Sequence, residues 1–483
     1  MTESTMTLAQ ILPAMPEIYL TIAICVLLVF DLFAGERRPG LTGTFALLLL
    51  LGGAVVTVLT AGQGTRQLLL GNSYVADDLS TLLKLAAFLF TALVLFYSGD
   101  YLVRRGLAKG EYYVLTLTAL LGILVLSSAA SLLTVYIGIE LLSLSLYALV
   151  AFDRDSGIAA EAAMKYFVLG AIASGTLLYG MSLLYGLSGT LEFGGLALAF
   201  TGTPSLGLVL ALTFVVVAVA FKFGAAPFHM WVPDVYQGAP TSVTLLVATA
   251  PKLASFALAF RLLSEGLAGA SDAWTQMVGA VAVLSIFVGN VIAIAQTNLR
   301  RMLAYSAVAN VGFILLGFVS GEADGYRAAL YFTLTYVLMV LAAFGVLLLS
   351  SRKGFEADEL DHYKGLHARD PGLALIMAIV MFSTAGVPPF VGFWAKLRII
   401  ESLVGSGHVW IATAAVVLSV IGAFYYLRVI WLMYFDKPGD LPGATRAPAI
   451  RWVLGLNAAA ILALGILPDA LLEICRQVIL PGG

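Results

Sequence analysis

Four ionisable residues lie inside long apolar stretches of this sequence: Glu140, Lys222, Lys252 and Lys396. An ammonium group at the centre of a membrane costs about 2.5 to 3.5 kcal/mol on insertion scales. Burial disfavours the charged form of a lysine, and a nearby carboxylate restores it. A buried lysine can therefore exchange a proton near neutral pH if its carboxylate partner engages and disengages. The four residues favour a proton relay through a helical bundle.

Polar side chains or water would have to bridge these charges. The candidates lie in the same apolar stretches and are Ser143, Ser145, His229, Thr244, Thr249, Ser255, Ser306, Thr333, Thr335 and Tyr336. His229 follows a helix break, where a proton relay and a helix-capping polar residue look alike.

Plainer explanations exist for buried charges. A long side chain can snorkel to the membrane surface, and a buried ion pair can be purely structural. Lys84 and Arg428 each lie about two turns from the end of a predicted helix, so we expect both to snorkel. Arg398 is given no role.

Two of the lysines lie beside breaks in their helices. Lys222 is followed by Gly-Ala-Ala-Pro-Phe at 224–228, and Lys396 is preceded by Gly-Val-Pro-Pro-Phe at 386–390. Proline removes a backbone hydrogen bond, and such a break survives in hydrocarbon only where it is buried in protein or lines a wet cavity. The copies fall on the seventh and twelfth predicted helices, which run in opposite directions. This pattern predicts an inverted repeat built around discontinuous helices.

The composition indicates a membrane protein. The chain is 61% hydrophobic and 11% charged, whereas soluble domains carry about 25% charged residues. With about 20 apolar residues per crossing, the sequence predicts an all-α polytopic membrane protein with about fourteen transmembrane helices. They are predicted near residues 12–33, 40–61, 77–99, 111–129, 131–152, 161–188, 205–236, 241–263, 273–296, 299–319, 326–350, 371–404, 408–434 and 450–472.

Positive charge predicts the orientation, because cytoplasmic loops are enriched in Lys and Arg. Four basic residues fall on one predicted side: Arg66, Arg261, Arg327 and Arg476. Sixteen fall in the loops after odd-numbered helices: Arg37, Arg38, Arg104, Arg105, Lys109, Arg154, Lys165, Arg300, Arg301, Arg352, Lys353, Lys364, Arg369, Lys437, Arg446 and Arg451. Both termini are therefore predicted on the outer, periplasmic side.

Several functions lack their sequence signatures. The two cysteines are distant from each other and form no Cys-x-x-Cys, so an iron–sulfur cluster is not expected. We find no Gly-x-Gly-x-x-Gly after a strand and no Walker loop, which argues against a nucleotide site. No basic patch for nucleic acid appears. The first apolar run is long enough to span a membrane, so it is not expected to be a cleaved signal.

One segment carries a family resemblance. Residues 226–252, APFHMWVPDVYQGAPTSVTLLVATAPK, resemble the antiporter-like membrane subunits of NADH-quinone oxidoreductase, respiratory complex I. The stretch PDVYQGAPT at 233–241 looks like the subunit N branch of that family. NLRRMLAYS at 298–306 and DHYKG at 361–365 look like the same branch.

The resemblance implies a fold and a function. The family fold has fourteen helices, with helices 4–8 and 9–13 forming two inverted five-helix units. Here this gives an N-terminal segment 1–110, repeats at 111–263 and 264–434, and a C-terminal helix in 435–483. The family's proton-path residues correspond to Glu140, Lys222, Lys252 and Lys396. At Asn310 many relatives have a histidine, so a relay there must use water or another group.

The resemblance also implies partners. Other membrane subunits of complex I, including related antiporter-like subunits, and the lipid bilayer of a bacterial inner membrane would surround the chain. NADH, FMN, iron–sulfur clusters and quinone would bind elsewhere in the complex, and no cofactor is expected in this chain. Alternatives are a subunit of a multisubunit sodium/proton antiporter, a stand-alone solute transporter of another family, or a structural spacer with its charges frozen in pairs.

Overall fold

The computed structural model describes residues 11–34, 39–61, 66–438, 445 and 447–479, and these are mostly helical. The first half contains α1 (Met15–Ala34), α2 (Pro39–Leu59), α3 (Asp78–Arg105), α4 (Gly110–Ser127), α5 (Leu132–Val150), α6 (Gly157–Ser188), α7 (Phe193–Ala199), α8 (Leu206–Phe223), α9 (Trp231–Gly238), α10 (Thr241–Ala248) and α11 (Ala250–Ala259). The second half contains α12 (Ser271–Ile294), α13 (Leu299–Val319), α14 (Ala323–Ser350), α15 (Leu366–Arg369), α16 (Pro371–Ala385), α17 (Val391–Gly405), α18 (Val409–Phe435), α19 (Pro448–Ile466) and α20 (Asp469–Val478). Strands β1 (Gln67–Leu69) and β2 (Tyr74–Ala76) form an antiparallel hairpin.

The predicted number of crossings is confirmed for the described part of the chain. Thirteen helical segments there are long and apolar enough to span a membrane. The remaining crossing, the twelfth, consists of the shorter helices α16 and α17. The fourteenth crossing ends earlier than predicted, at Ile466, and a separate helix, α20, starts after Pro468. Arg37, Arg38, Arg446 and both chain ends lie outside the described residues.

The two predicted breaks have the same local structure. Helix α8 ends at Phe223, and Gly224 follows with φ of 75°; helix α16 ends at Ala385, and Gly386 follows with φ of 88°. Left-handed backbone of this kind is readily adopted only by glycine. In each case the glycine N–H bonds back to carbonyls of the last helical turn. The inverted repeat predicted from the sequence therefore has a structural counterpart at both breaks.

A third break, in the eighth crossing, was not predicted. Helix α10 ends at Ala248, Thr249 has φ of −116° and ψ of −94°, and α11 begins at Ala250. Pro251 lies in the first turn of α11, where its missing N–H is tolerated. The crossing then ends in a π-helical stretch, Phe260–Gly266. Lys252 therefore lies on a ten-residue helix bounded by two irregular segments.

Burial differs strongly between the crossings. The most apolar part of Thr241–Gly266 and that of Leu299–Val319 are wholly buried, and that of Ala323–Ser350 is 94% buried. The most apolar parts of the first two crossings are only 28% buried. The eighth, tenth and eleventh crossings thus form the core, and the first two expose apolar surface on the outside of the bundle.

The loop 351–370 fixes the turn between the seventh and eighth crossings. Glu356 accepts hydrogen bonds from the Tyr101 hydroxyl at 2.6 Å and the Thr241 hydroxyl at 2.9 Å. Arg300 donates to the carbonyl of Ala239 at 3.0 Å and pairs with Asp358 at 2.9 Å. These contacts hold the start of α10, and with it the crossing that carries Lys252.

The expectation that Lys84 snorkels is wrong. Its side chain is 4% exposed, and Nζ lies 2.7 Å from both the Tyr74 hydroxyl and a Glu17 carboxylate oxygen. The ion pair joins α1 to α3, and Tyr74 of β2 bonds to the same ammonium group. A carboxylate contributed by another helix removes the need for the ammonium group to reach water.

The other two unassigned cations also have partners. Arg428 is half-buried and donates to the carbonyls of Ile294 at 2.9 Å and Gln296 at 2.6 Å, at the C-terminal end of α12. Its side chain therefore reaches the end of a neighbouring helix. Arg398 pairs with Glu401 one turn along α17 at 2.8 Å.

Candidate functional site

Lys222 lies in the last turn of α8, next to the first break. Its Nζ donates to the Ser143 hydroxyl of α5 at 2.8 Å, and it lies 5.8 Å from the centre of the Phe221 ring. Ser143 is one helical turn beyond Glu140. The structure therefore brings Lys222 to α5, the helix that carries Glu140, but its ammonium group bonds to Ser143 and not to the Glu140 carboxylate.

Glu140 is not paired with Lys222 in this structure. Its Oε1 is buried, and no hydrogen-bond partner for it is found among the described residues. The side chain lies on the same face of α5 as Leu133, Ile137 and Leu144, each more than half exposed. Glu140 therefore lies between the interior of the bundle and its outer surface.

Lys252, on α11, binds the end of α8 at the first break. The side chain is buried, and Nζ donates to the carbonyl of Phe223, the last residue of α8, at 2.8 Å. The Ser255 hydroxyl donates to the carbonyl of Lys222 at 3.2 Å. The last carbonyls of a helix have no intrahelical partner and carry partial negative charge. The broken end of α8 therefore provides acceptors for a cation from the eighth crossing.

A small cavity joins Lys222 and Lys252. It has a volume of about 30 Å³, and its polar lining includes both lysines, Ser143, Tyr166 and Ser255. A volume of about 10 to 15 Å³ holds one water molecule. Two lysines, three hydroxyl groups and room for about two waters can pass a proton without a large movement of either side chain.

Lys396 repeats the arrangement in the second half of the chain. Its Nζ donates to the carbonyls of Thr384 at 2.9 Å and Ala385 at 3.1 Å, the last two residues of α16. The Ser419 hydroxyl accepts at 3.0 Å, and the Phe313 ring centre lies 5.3 Å away. In both repeats a lysine ammonium therefore binds carbonyls that a helix break leaves free.

A polar cluster lies close to the Lys396 site. The hydroxyls of Ser306 and Tyr426 are 2.6 Å apart, and the Asn310 amide donates to the Ser306 carbonyl at 2.8 Å and to the Tyr426 hydroxyl at 3.2 Å. A cavity of about 10 Å³, lined in part by Tyr236, Ser306, Tyr336 and Thr384, adjoins it. Tyr426 therefore supplies a hydroxyl beside the amide that stands where many relatives are expected to have a histidine.

Eight of the ten candidate bridging residues divide into two groups. Ser143, Ser255 and Ser306 contact the lysines, their carbonyl partners or Tyr426. The hydroxyls of Ser145, Thr249, Thr333 and Thr335 each donate to the carbonyl four residues earlier in the chain. The Thr244 hydroxyl donates to the carbonyl of Tyr236 in α9. Sequence reasoning missed Ser419 and Tyr426, whose position in long apolar helices gave no signal. Within the part of the chain that the structure describes, no cluster of three or more His, Cys, Asp or Glu could hold a metal.

Comparisons with known proteins find relatives along nearly the whole chain. The family model "NADH:quinone oxidoreductase/Mrp antiporter, TM" matches residues 129–422. NADH-quinone oxidoreductase subunit N of Thiobacillus denitrificans is 51% identical, over 98% of each chain. The same subunit of Acidithiobacillus ferrooxidans is 52% identical, over 96% of each chain.

The chain belongs to the NADH-quinone oxidoreductase subunit N family.

Solved structures extend the likeness to the fold. A chain of respiratory complex I from Thermus thermophilus, solved with bound aureothin, superimposes with a TM-score of 0.83 at 33% identity, covering 96% of this chain and 100% of that one. A chain of the Mrp complex from Dietzia sp. has a TM-score of 0.82 at 23% identity, over 98% and 97% of the two chains. The second likeness shows a shared fold alone. The subunit N relatives match this chain in sequence along nearly its whole length.

Proposed function

We propose that this chain is a proton-translocating membrane subunit of a bacterial NADH:quinone oxidoreductase. The relatives at about 50% identity carry the name of that oxidoreductase. The observation that carries the proposal is the shared cavity between Lys222 and Lys252, at a helix break enclosed by other helices. Electron transfer from NADH to quinone takes place in other subunits, which hold the FMN and iron–sulfur clusters.

The proposed mechanism is a switch in the pairing of Glu140 and Lys222. With Glu140 close, the ammonium group of Lys222 is stabilised and holds its proton. With Lys222 on Ser143, as in this structure, that stabilisation is weaker and the proton passes through the cavity to Lys252. Lys396 and its polar cluster then carry the proton onward in the second repeat or to the next subunit.

The proposal includes an arrangement in the membrane. The asymmetry of Lys and Arg between the loops supports termini on the periplasmic side of the inner membrane. The proposed division at residues 110, 263 and 434 gives each repeat one of the two matching breaks, at Gly224 and at Gly386. Neighbouring antiporter-like subunits and lipid would cover the exposed apolar helices.

The sodium/proton antiporter alternative has weaker support. The likeness to the Mrp complex chain shows the fold alone, and the sequence likeness at about 50% identity is to subunit N proteins. Copurification of the chain with flavin and iron–sulfur proteins would separate the two functions, since only the oxidoreductase contains them.

Lys222→Ala tests the proposal. We expect NADH-driven proton pumping in membranes to fall by about a hundredfold per assembled complex, because alanine cannot hold the proton. Assembly is checked on the purified complex. The matched control is Lys84→Ala with Glu17→Gln. It removes a buried lysine and its carboxylate partner that have no place in the proposed proton path, so pumping per complex should stay unchanged. Normal pumping by assembled Lys222→Ala would reject the proposal.

A further inference from the structure

Arg261 is fully buried, although the sequence placed it in an outer loop. It lies in the π-helical stretch Phe260–Gly266 and has no measurable exposure. An arginine is almost never buried without paired acceptors. Such irregular helical turns also occur frequently at functional sites. Both features indicate that the Arg261 guanidinium holds specific groups in place.

The guanidinium joins three parts of the fold. It donates to Asp77 at 2.7 Å, just before α3, and to the Ser127 carbonyl at 3.1 and 3.2 Å, at the end of α4. It also pairs with Glu265 of its own stretch at 2.8 Å, and Arg66 binds the second oxygen of that carboxylate at 3.1 Å. The planar fork of arginine satisfies these acceptors at once, which the single ammonium group of lysine cannot do.

The Asp77 carboxylate is stabilised by its contact with Arg261. Burial alone would raise the pKa of the Asp77 carboxyl, but the adjacent Arg261 charge outweighs burial and lowers that pKa to about 2. Asp77 also accepts from the Ser80 N–H at 2.8 Å and so caps α3. The outer end of the eighth crossing is therefore tied to a fixed anion on a capped helix.

The segment that carries Lys252 depends on contacts at its ends. Helix α11 begins after the break at Thr249 and passes directly into the π-helical stretch, so Arg261 lies on the continuation of the helix that carries Lys252. Arg261 follows Lys252 by nine residues, about 13 Å along a helix axis. Near the other end, the only bond recorded for the Lys252 ammonium within the described structure is to Phe223. A shift or rotation of α11 would move Nζ away from that carbonyl.

We propose that Arg261 is a positioning residue for Lys252: its clamp on Asp77, Glu265 and the Ser127 carbonyl sets the depth and rotation of α11, and thereby places Nζ on the Phe223 carbonyl and in the cavity with Lys222. The inference rests on the proposed role of Lys252 in proton transfer. It assigns no proton-carrying role to Arg261 itself.

The test is the pH profile of NADH-driven proton pumping by the assembled complex carrying Arg261→Gln. When Lys252 leaves the Phe223 carbonyl, its protonated form loses an acceptor. We therefore expect the profile to move by about one pH unit towards lower pH, with pumping at pH 7.5 reduced about tenfold. Asp77→Asn and Arg261→Lys, which keep part of the clamp, should shift the profile in the same direction by less. They carry the test if Arg261→Gln does not assemble.

Two comparisons decide the result. Arg428→Gln is the matched control, because it removes an arginine that binds backbone carbonyls away from the eighth crossing; its profile should match the wild type. If the assembled Arg261 and Asp77 variants keep the wild-type profile and lose only stability, Arg261 is structural and the inference is overturned.

Lys252→Met distinguishes failure of the proposed function from failure of this inference. If that variant pumps normally, the proposed function fails. If it loses pumping while the Arg261 variants keep the wild-type pH profile, only the positioning role is refuted.

Discussion

Lys252→Met is expected to reduce NADH-driven proton pumping about a hundredfold, with the complex still assembled. Methionine has nearly the length of lysine and suits a buried apolar site, so the helix should keep its packing. It cannot carry a proton between the cavity and the second repeat. The Phe223 carbonyl loses its partner from Lys252, which costs about 1 to 3 kcal/mol for an unsatisfied buried acceptor. Pumping is measured by quenching of a pH-sensitive dye in membrane vesicles.

The control for this variant is Lys84→Met combined with Glu17→Gln. It makes the same lysine replacement at a site buried to a similar degree, and it also removes the carboxylate that would otherwise be left unpaired. We expect the control to lower thermal stability while pumping per complex stays normal. Equal pumping by the two variants, after correction for assembly, would mean that Lys252 is no more important for proton transfer than a structural lysine.

Gly392→Ala is expected to disrupt the second break. A methyl group at this position would lie 1.9 Å from the carbonyl oxygen of Ser383, where α17 begins against the end of α16. Overpacking of this kind costs about 1 to 3 kcal/mol, and backbone must move because no flexible side chain can yield. Lys396 is one turn further along α17, so its ammonium group would be displaced from the carbonyls of Thr384 and Ala385. We expect a lower melting temperature and a severalfold loss of pumping.

Gly405→Ala on the same helix is the matched control. No atom lies within 4 Å of a methyl group placed there, so its stability and pumping should remain close to wild type. If Gly392→Ala behaves like Gly405→Ala, close contact between the two halves of the twelfth crossing is not needed for the position of Lys396.

The elements of the site were predictable where local chemistry determines them. Pro227 and Pro389 cannot continue a helix without a break, and a lysine in an apolar run is visible without any structure. The break at Thr249 was harder to predict. Pro251 was noted beside Lys252, but a proline in the first turn of a helix looks the same whether or not another helix directly precedes it.

The partners of the charges were not predictable. Lys222 bonds to Ser143, which is 79 residues away, and Glu140 lies one turn from that serine without closing the pair. Lys84 pairs with Glu17 on a different helix, and Arg261 reaches Asp77 across 184 residues. Hydropathy places a residue at a depth in the membrane, but the choice of partner depends on helix rotation and packing, which no short segment encodes.

The most direct test of the account is NADH-driven proton pumping by the assembled complex carrying Lys222→Arg. Arginine keeps the positive charge next to Ser143 and Glu140, but it does not release a proton in proteins because its pKa exceeds about 12. If Lys222 works by giving up and regaining a proton, pumping will be lost although the charge is still present. If pumping continues at the wild-type rate, the charge at position 222 is a fixed part of the scaffold, and the proton does not pass through Lys222.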